Sequence, residues 1–177
     1  MRVNLKPLRF TVLCEDRAHQ RLLRLYLNER GVENGRITFL DLPDGRGSGE
    51  QHVREKFQHA VHTHRTRGWE NRALLVMVDG DKTPDRKEQL LSRLSAPRTP
   101  EERIVILVPR RNLETWLAFF RDGGTVDEEE TDYTHHSFSK NDFRKAVQDM
   151  VIQCHQSGFS VPSSFLDAVQ EWQRLGQ

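Results

Sequence analysis

The stretch Leu74-Leu75-Val76-Met77-Val78-Asp79-Gly80-Asp81 decides the fold: five apolar residues in a row, then two aspartates around a glycine. An unbroken apolar run reads as a strand buried on both faces, the pattern of a parallel sheet covered by helices. The carboxyl ends of such strands form the rim where open α/β sheets bind ligands. Two carboxylates at that rim, with hard oxygens suited to Mg²⁺, make a candidate site.

The same rhythm extends to either side. Arg9 to Cys14 predicts a first strand, followed by a helix from about Arg17 to Arg30 with Leu22, Leu23, Tyr26 and Leu27 at helical spacing and Gly31 at its end. Arg36 to Leu42 predicts a second strand. Pro43 to Gly49 is a glycine-rich loop, and Ser48 is placed to cap a helix reaching Arg67. Beyond the third strand, Arg72 to Val78, a helix is expected from Pro84 to Leu94 with Thr83 as its cap. Arg103 to Val108 predicts a fourth strand, stopped by Pro109, and Asn112 to Phe120 the next helix. Strand then helix, four times over, argues for parallel βαβ units. The expected fold is therefore α/β, a mainly parallel sheet of about four strands flanked by helices, over residues 1–121. From Asp122 the character changes. Asp127 to Glu130 reads as an acidic loop, and helices starting at Ser139 and Pro162 form a C-terminal extension over residues 122–177, packed on the core or extending it.

Composition narrows the functional classes. The 177 residues suit one domain, and 27 Lys and Arg against 26 Asp and Glu leave a net charge of +1, so no global field attracts nucleic acid and any basic surface must be local. No apolar run approaches the ~20 residues of a membrane span. The opening residues Met1 to Pro7 are too polar for a secretory signal, so a cytoplasmic location away from the membrane is expected. Cys14 and Cys154 match no zinc or redox spacing and read as small apolar residues.

Acidic residues recur at the predicted strand ends. Glu15 follows the first strand, Asp79 and Asp81 the third, and Glu114 lies shortly after the fourth. In a parallel sheet these ends share one edge, and carboxylates converging there repel unless a divalent cation joins them. Alternate residues of an extended segment point the same way, which would aim Asp79 and Asp81 together, and Gly80 would admit a close ligand. The plainer alternative is that acidic residues after strands cap helices or face solvent, with Asp81 in a turn before Pro84.

In their order, strand-Glu15-helix and then strand-Asp79-Gly80-Asp81, these residues resemble the Toprim domain, the metal-binding fold of topoisomerases, DnaG-type primases, OLD-type nucleases and RecR proteins. Val108-Pro109-Arg110-Arg111-Asn112-Leu113-Glu114-Thr115-Trp116 is similar to a further motif in stand-alone Toprim-like proteins of the OLD-nuclease-like branch, often encoded beside an ATPase in bacterial defence systems. The resemblance implies a Rossmannoid sheet and a metal-dependent endonuclease using Mg²⁺ or Mn²⁺. It assigns Glu15 an acid/base or metal-site role, Asp79 and Asp81 the paired metal ligands, Glu114 an added ligand, and Lys140 a place near the scissile phosphate. Two positions depart from the pattern. Asp16 stands where glycine usually follows the first glutamate, and His19 where a second acidic residue is usual. Asp16 is a candidate to take over that acidic role; if neither Asp16 nor His19 reaches the site, a one-metal or inactive site is expected in place of a two-metal one.

Arg110 and Arg111, beside the presumed rim, are candidates for contact with a nucleic-acid backbone, DNA above all. Arg54, Lys56, Arg65 and Arg67 read rather as a solvated helix face. His52, His59, His62 and His64 share one predicted helix without a third ligand type nearby and read as a polar face, while His135-His136 could contact water or phosphate. The glycine loop lacks the Lys-Ser/Thr pair of a P-loop, so nucleotide hydrolysis would fall to a separate ATPase partner. The expected function is a metal-dependent nuclease hydrolysing phosphodiester bonds, in defence against phage or foreign DNA. The alternatives are a non-catalytic Toprim-like module that binds nucleic acid or a partner, as RecR proteins do, and a receiver-like phosphotransfer domain with Asp79 as acceptor.

Overall fold

Strands β1 (Arg9–Cys14), β2 (Ile37–Phe39), β3 (Arg72–Met77) and β4 (Ile104–Leu107) pair in the order β2-β1-β3-β4, every neighbour parallel. The computed structural model describes residues 4–45, 48–68, 71–123, 125–129, 133, 137–153 and 161–176. Between and after the strands lie helices α1 (Arg17–Glu29), α2 (Gly49–Thr66), α3 (Arg86–Leu91), α4 (Leu113–Asp122), α5 (Lys140–Gln153) and α6 (Ser163–Gln173).

The apolar runs are buried on both sides, as a parallel sheet requires. On one face Val12, Leu75, Met77, Val105 and Leu107 pack against Leu23 and Tyr26 of α1, Trp116 of α4, Phe143 and Val147 of α5, and Phe165 of α6. On the other, Leu13, Leu74, Val76, Ile104 and Ile106 meet Val53, Phe57 and Val61 of α2 and Leu90 of α3. The result is a three-layer, Rossmann-like α/β arrangement. The C-terminal helices share the larger core with α1 and α4: Tyr26 stacks on Trp172 at 4.5 Å, and the Trp116 Nε1–H donates to Ser164 Oγ at 2.8 Å. Among the described residues, no helix is long and apolar enough to cross a membrane.

Side chains cap three helices: Ser48 as expected, Ser139 at the expected helix start, and Asn112, which was expected as the first residue of its helix and not as its cap. Ser48 accepts from the Gln51 amide, Asn112 from the Thr115 amide and Ser139 from the Asp142 amide, each using a side-chain oxygen to satisfy an N–H that has no partner within the helix. Several boundaries shift from expectation by a residue or more, and two of the shifts have a clear local cause. The second strand is only Ile37 to Phe39, since the chain leaves the sheet after Leu40 donates to Val12 and then meets Pro43, which has no N–H to offer. The helix expected from Pro84 starts at Arg86 instead. Thr83 is spent on a turn, its amide bonded to the Gly80 carbonyl at 2.8 Å and its carbonyl accepting from the Arg86 amide.

β4 is an edge strand and its open side is covered. The Ile106 amide donates to Glu171 Oε2 at 3.0 Å, Arg98 donates to the Ile104 carbonyl at 2.7 Å, and Arg98 and Glu171 form a two-bond ion pair. Satisfied in this way, the edge offers no template for another strand.

Candidate metal centre

The strand order places the site. From β1 the chain moves to β2 on one side, and then returns to build β3 and β4 on the other, so connections diverge between β1 and β3. That divergence opens a crevice at the carboxyl ends of those two strands. Glu15 directly follows β1, and Asp79 follows β3 after Val78.

The two are joined by the Asp79 amide, which donates to Glu15 Oε2 at 2.9 Å. Asp16 is the N-cap of α1: its Oδ1 accepts from the His19 amide at 3.0 Å and lies 2.9 Å from His19 Nδ1. This clamp turns the ring so that Nε2 sits 3.1 Å from Asp79 Oδ1. Ligand atoms of Glu15, His19 and Asp79 all lie within 4.8 Å of one another, and the group could hold a metal ion. Gly49, at the start of α2, makes room for the first of them. A Cβ there would stand 2.7 Å from Glu15 Cβ and 2.9 Å from its carbonyl oxygen, a backbone clash that no side-chain movement relieves.

Electrostatics set this group apart. Burial pushes the Glu15 carboxyl up to about 7, despite the opposing hydrogen bond from the Asp79 amide. Burial also works against a charged His19, which is 1% exposed, but hydrogen bonds to Asp16 and Asp79 and the charges of both outweigh it and raise the imidazole to about 10. Asp16 shows the reverse outcome: burial would raise it, yet its bonds to His19 pull it down to about 2. In the metal-free site the ring is therefore an imidazolium shared by two aspartates, while Glu15 has no comparable partner.

Asp81 and Glu114 lie outside this tight group. Asp81 does not continue the strand: it has φ +48°, its amide donates to the Arg111 carbonyl at 2.8 Å, and its side chain, 60% exposed, is 3.6 Å from Arg86. The left-handed turn breaks the alternation that would aim Asp79 and Asp81 the same way. Arg86 is in turn bound to Glu50 at 2.7 Å. Gly80 serves the backbone, not a ligand: a Cβ there would come within 3.0 Å of the Pro109 carbonyl oxygen, to which the Gly80 amide donates. Glu114, in the first turn of α4, is half-buried, and burial followed by the charge of Asp79 raises its carboxyl, so it borders the site electrostatically.

Arg110 and Arg111 are held by the acidic loop. Both pair with the Glu129 carboxylate, and Arg111 Nε also donates to the Glu129 carbonyl at 2.9 Å. Lys140 stands at the start of α5, in a groove with Arg17, Arg21 and Arg144. Arg65 pairs with Glu102 at 2.6 Å and Arg54 lies 3.8 Å from Glu50. The histidines of α2 join no metal-type group among the described residues, and His52 contacts the Asp41 carbonyl. Cys14 is buried, and burial holds its thiol up at about 12, far from a thiolate. Cys154, Glu130, His135 and His136 lie outside the described residues.

The chain matches no protein-family model, no curated protein and no solved structure. The site must be read from its own chemistry. The residue that the sequence reading left unassigned is His19, and its signal is local: Asp16-x-x-His19 at a helix start makes the aspartate both cap and imidazole partner.

Proposed function

We propose that this protein is a divalent-metal-dependent nuclease of Toprim-like type, hydrolysing phosphodiester bonds of DNA. The observation that carries the reading is the convergence of Glu15, His19 and Asp79 within 4.8 Å at the point where strand connections diverge. Carboxylate oxygens suit Mg²⁺ and Mn²⁺, and the single imidazole tilts the donor set toward Mn²⁺. Bound there, such a cation supplies Lewis-acid stabilisation of a phosphoryl oxygen and lowers the pKa of water. Asp79 and Glu15 bring the negative charge that holds it. Asp16 fixes the ring of His19 through Nδ1, leaving Nε2 as the ligand atom once its proton departs. Glu15 stands among the atoms that would hold the cation, where its carboxylate would take a proton from an attacking water. Glu114 and Asp81 border the site, where they can bind a second cation or an outer water. The absence of a P-loop motif leaves any ATP hydrolysis to a separate subunit, a defence-type ATPase by the resemblance.

Incubating purified protein with supercoiled and linear DNA plus Mn²⁺ or Mg²⁺ tests this. Cleavage is expected with the metal and should be lost in Asp79→Asn. Equal cleavage by the variant would refute the assignment.

The His19 imidazolium supports a second reading. A ring held between Asp16 and Asp79 already neutralises the crevice, as a non-catalytic module binding nucleic acid or a partner would need. No Mn²⁺ uptake and no cleavage by the wild-type protein would select it.

A further inference from the structure

We propose that the groove between α1 and α5 is the track along which a single nucleic-acid strand approaches the metal centre; its destination, though not its ability to bind, rests on the nuclease reading above. Arg17, Arg21 and Arg24 project from one face of α1 at the i, i+4, i+7 spacing that aligns side chains, and Lys140 and Arg144 face them from α5. All five are exposed, and among the described residues none makes an ion pair with a carboxylate. In a chain whose net charge is +1, five cations in one groove without a carboxylate partner among the described residues are a local field of the kind that binds a polyanion. Gln20 and Asn141, also lining the groove, add neutral hydrogen-bonding groups.

Geometry specifies the partner. From Arg17 to Arg24 the helix rises about 10 Å, roughly the axial length of three nucleotides at about 3.4 Å each. The guanidinium of Arg21 lies 4.2 Å from the ring centroid of Phe143 and that of Arg24 lies 4.5 Å from the ring of Phe39, so both planes are held in place by aromatic faces. A linear, polar row fits a phosphodiester backbone. A membrane surface would call instead for a continuous apolar face beside the cations, whereas Leu25 is the one aliphatic side chain among the residues lining this groove. One end of the row is also the metal centre's own element, because Arg17 directly follows Asp16, the residue that orients His19. The other basic surface differs, as Glu129 already occupies Arg110 and Arg111.

The test is anisotropy of a fluorescein-labelled single-stranded DNA oligonucleotide, titrated with full-length protein in EDTA over a salt series, so that binding is read without metal or cleavage. Wild-type protein should bind with a log-log salt slope near −3.5, from about 0.7 per phosphate contact. The Lys140→Gln/Arg144→Gln pair should reduce that slope by about 1.4 and weaken binding at least roughly tenfold at low salt. Arg24→Gln, on the opposite wall, should cost about half the slope change of the pair. Lys145→Gln, whose cation is already paired with Asp149, should bind within about twofold of wild type. Circular dichroism melts confirm that each variant is folded. The proposal is overturned if the folded groove variants keep wild-type affinity and slope, or if wild-type protein prefers phosphatidylserine vesicles to DNA. Groove-dependent binding with no cleavage under any metal would leave the track standing and remove the nuclease reading; metal-dependent cleavage at wild-type rate by the groove variants would do the opposite.

Discussion

Two buried carboxylate clusters abut this sheet, and the fold treats them in opposite ways. At the β4 edge Glu171 is fully answered: burial would raise its carboxyl, but the Arg98 guanidinium and the Ile106 amide hold it below the usual range. At the carboxyl ends of β1 and β3, Glu15 receives one amide and is pushed up to about 7. The first cluster is complete within the chain and holds α6 to the sheet. The second leaves anionic charge compressed in a crevice, with the His19 imidazolium as its one cationic partner among the described residues. A structural carboxylate is thus marked by a finished set of donors, and a functional one by a set that a further cation would finish.

Breaking the finished cluster should give the largest effect on stability. Glu171→Ala removes one half of a buried pair and leaves Arg98 uncompensated, so denaturant unfolding should show a loss of about 3 kcal/mol, with no change in metal affinity. A variant as stable as wild type would dissolve the contrast.

Within the unfinished cluster the effects should fall on binding instead. Isothermal titration should show His19→Ala weakening Mn²⁺ by about 10- to 100-fold or more, and Asp16→Asn, which acts only by orienting the ring, by about tenfold. Equal losses would mean that Asp16 is itself a ligand.

A smaller effect sharpens the comparison by sign. Glu15→Gln keeps an acceptor for the Asp79 amide and removes a charge that the fold resists, so the metal-free variant should melt higher than wild type at pH 8 and no higher at pH 5. The pH dependence of the wild type follows the same rule. Because Glu15 binds its proton more tightly folded than unfolded, metal-free stability falls as pH rises from 4.5 to about 7. His19 continues the fall, its contribution complete below 6.5 and lost by about 10. Asp16 acts at the other end, its contribution present above 3.8 and lost as pH drops through about 2. Mn²⁺ competes with the same protons, so its affinity should rise over the window in which metal-free stability falls. Melting curves at several pH values, with and without Mn²⁺, check both slopes.

Much of this was legible in the chain. The apolar runs announce buried strands because burial on both faces removes the alternation, and a cap such as Ser48 shows itself through side-chain chemistry confined to one helical turn. Glu15 and Asp79 were legible for the same reason, since residues that end parallel strands must share a rim. Asp81 was not decided by the sequence: a turn before Pro84 was one of its two readings, and the choice between them depends on a left-handed conformation locked by an amide bond to the Arg111 carbonyl. Nor was the pairing of Arg110 and Arg111 with Glu129, which depends on how the chain after α4 folds back on the rim. His19 lay between these extremes: its spacing from Asp16 was visible, while its approach to Asp79, sixty residues away, required the sheet order.

Pulsed electron paramagnetic resonance of Mn²⁺ added to the full-length protein tests the central claim most directly. One bound Mn²⁺ showing nitrogen coupling that disappears in His19→Gln is the predicted result. Absence of bound Mn²⁺, or a nitrogen signal unchanged in that variant, would contradict a metal centre built from Glu15, His19 and Asp79.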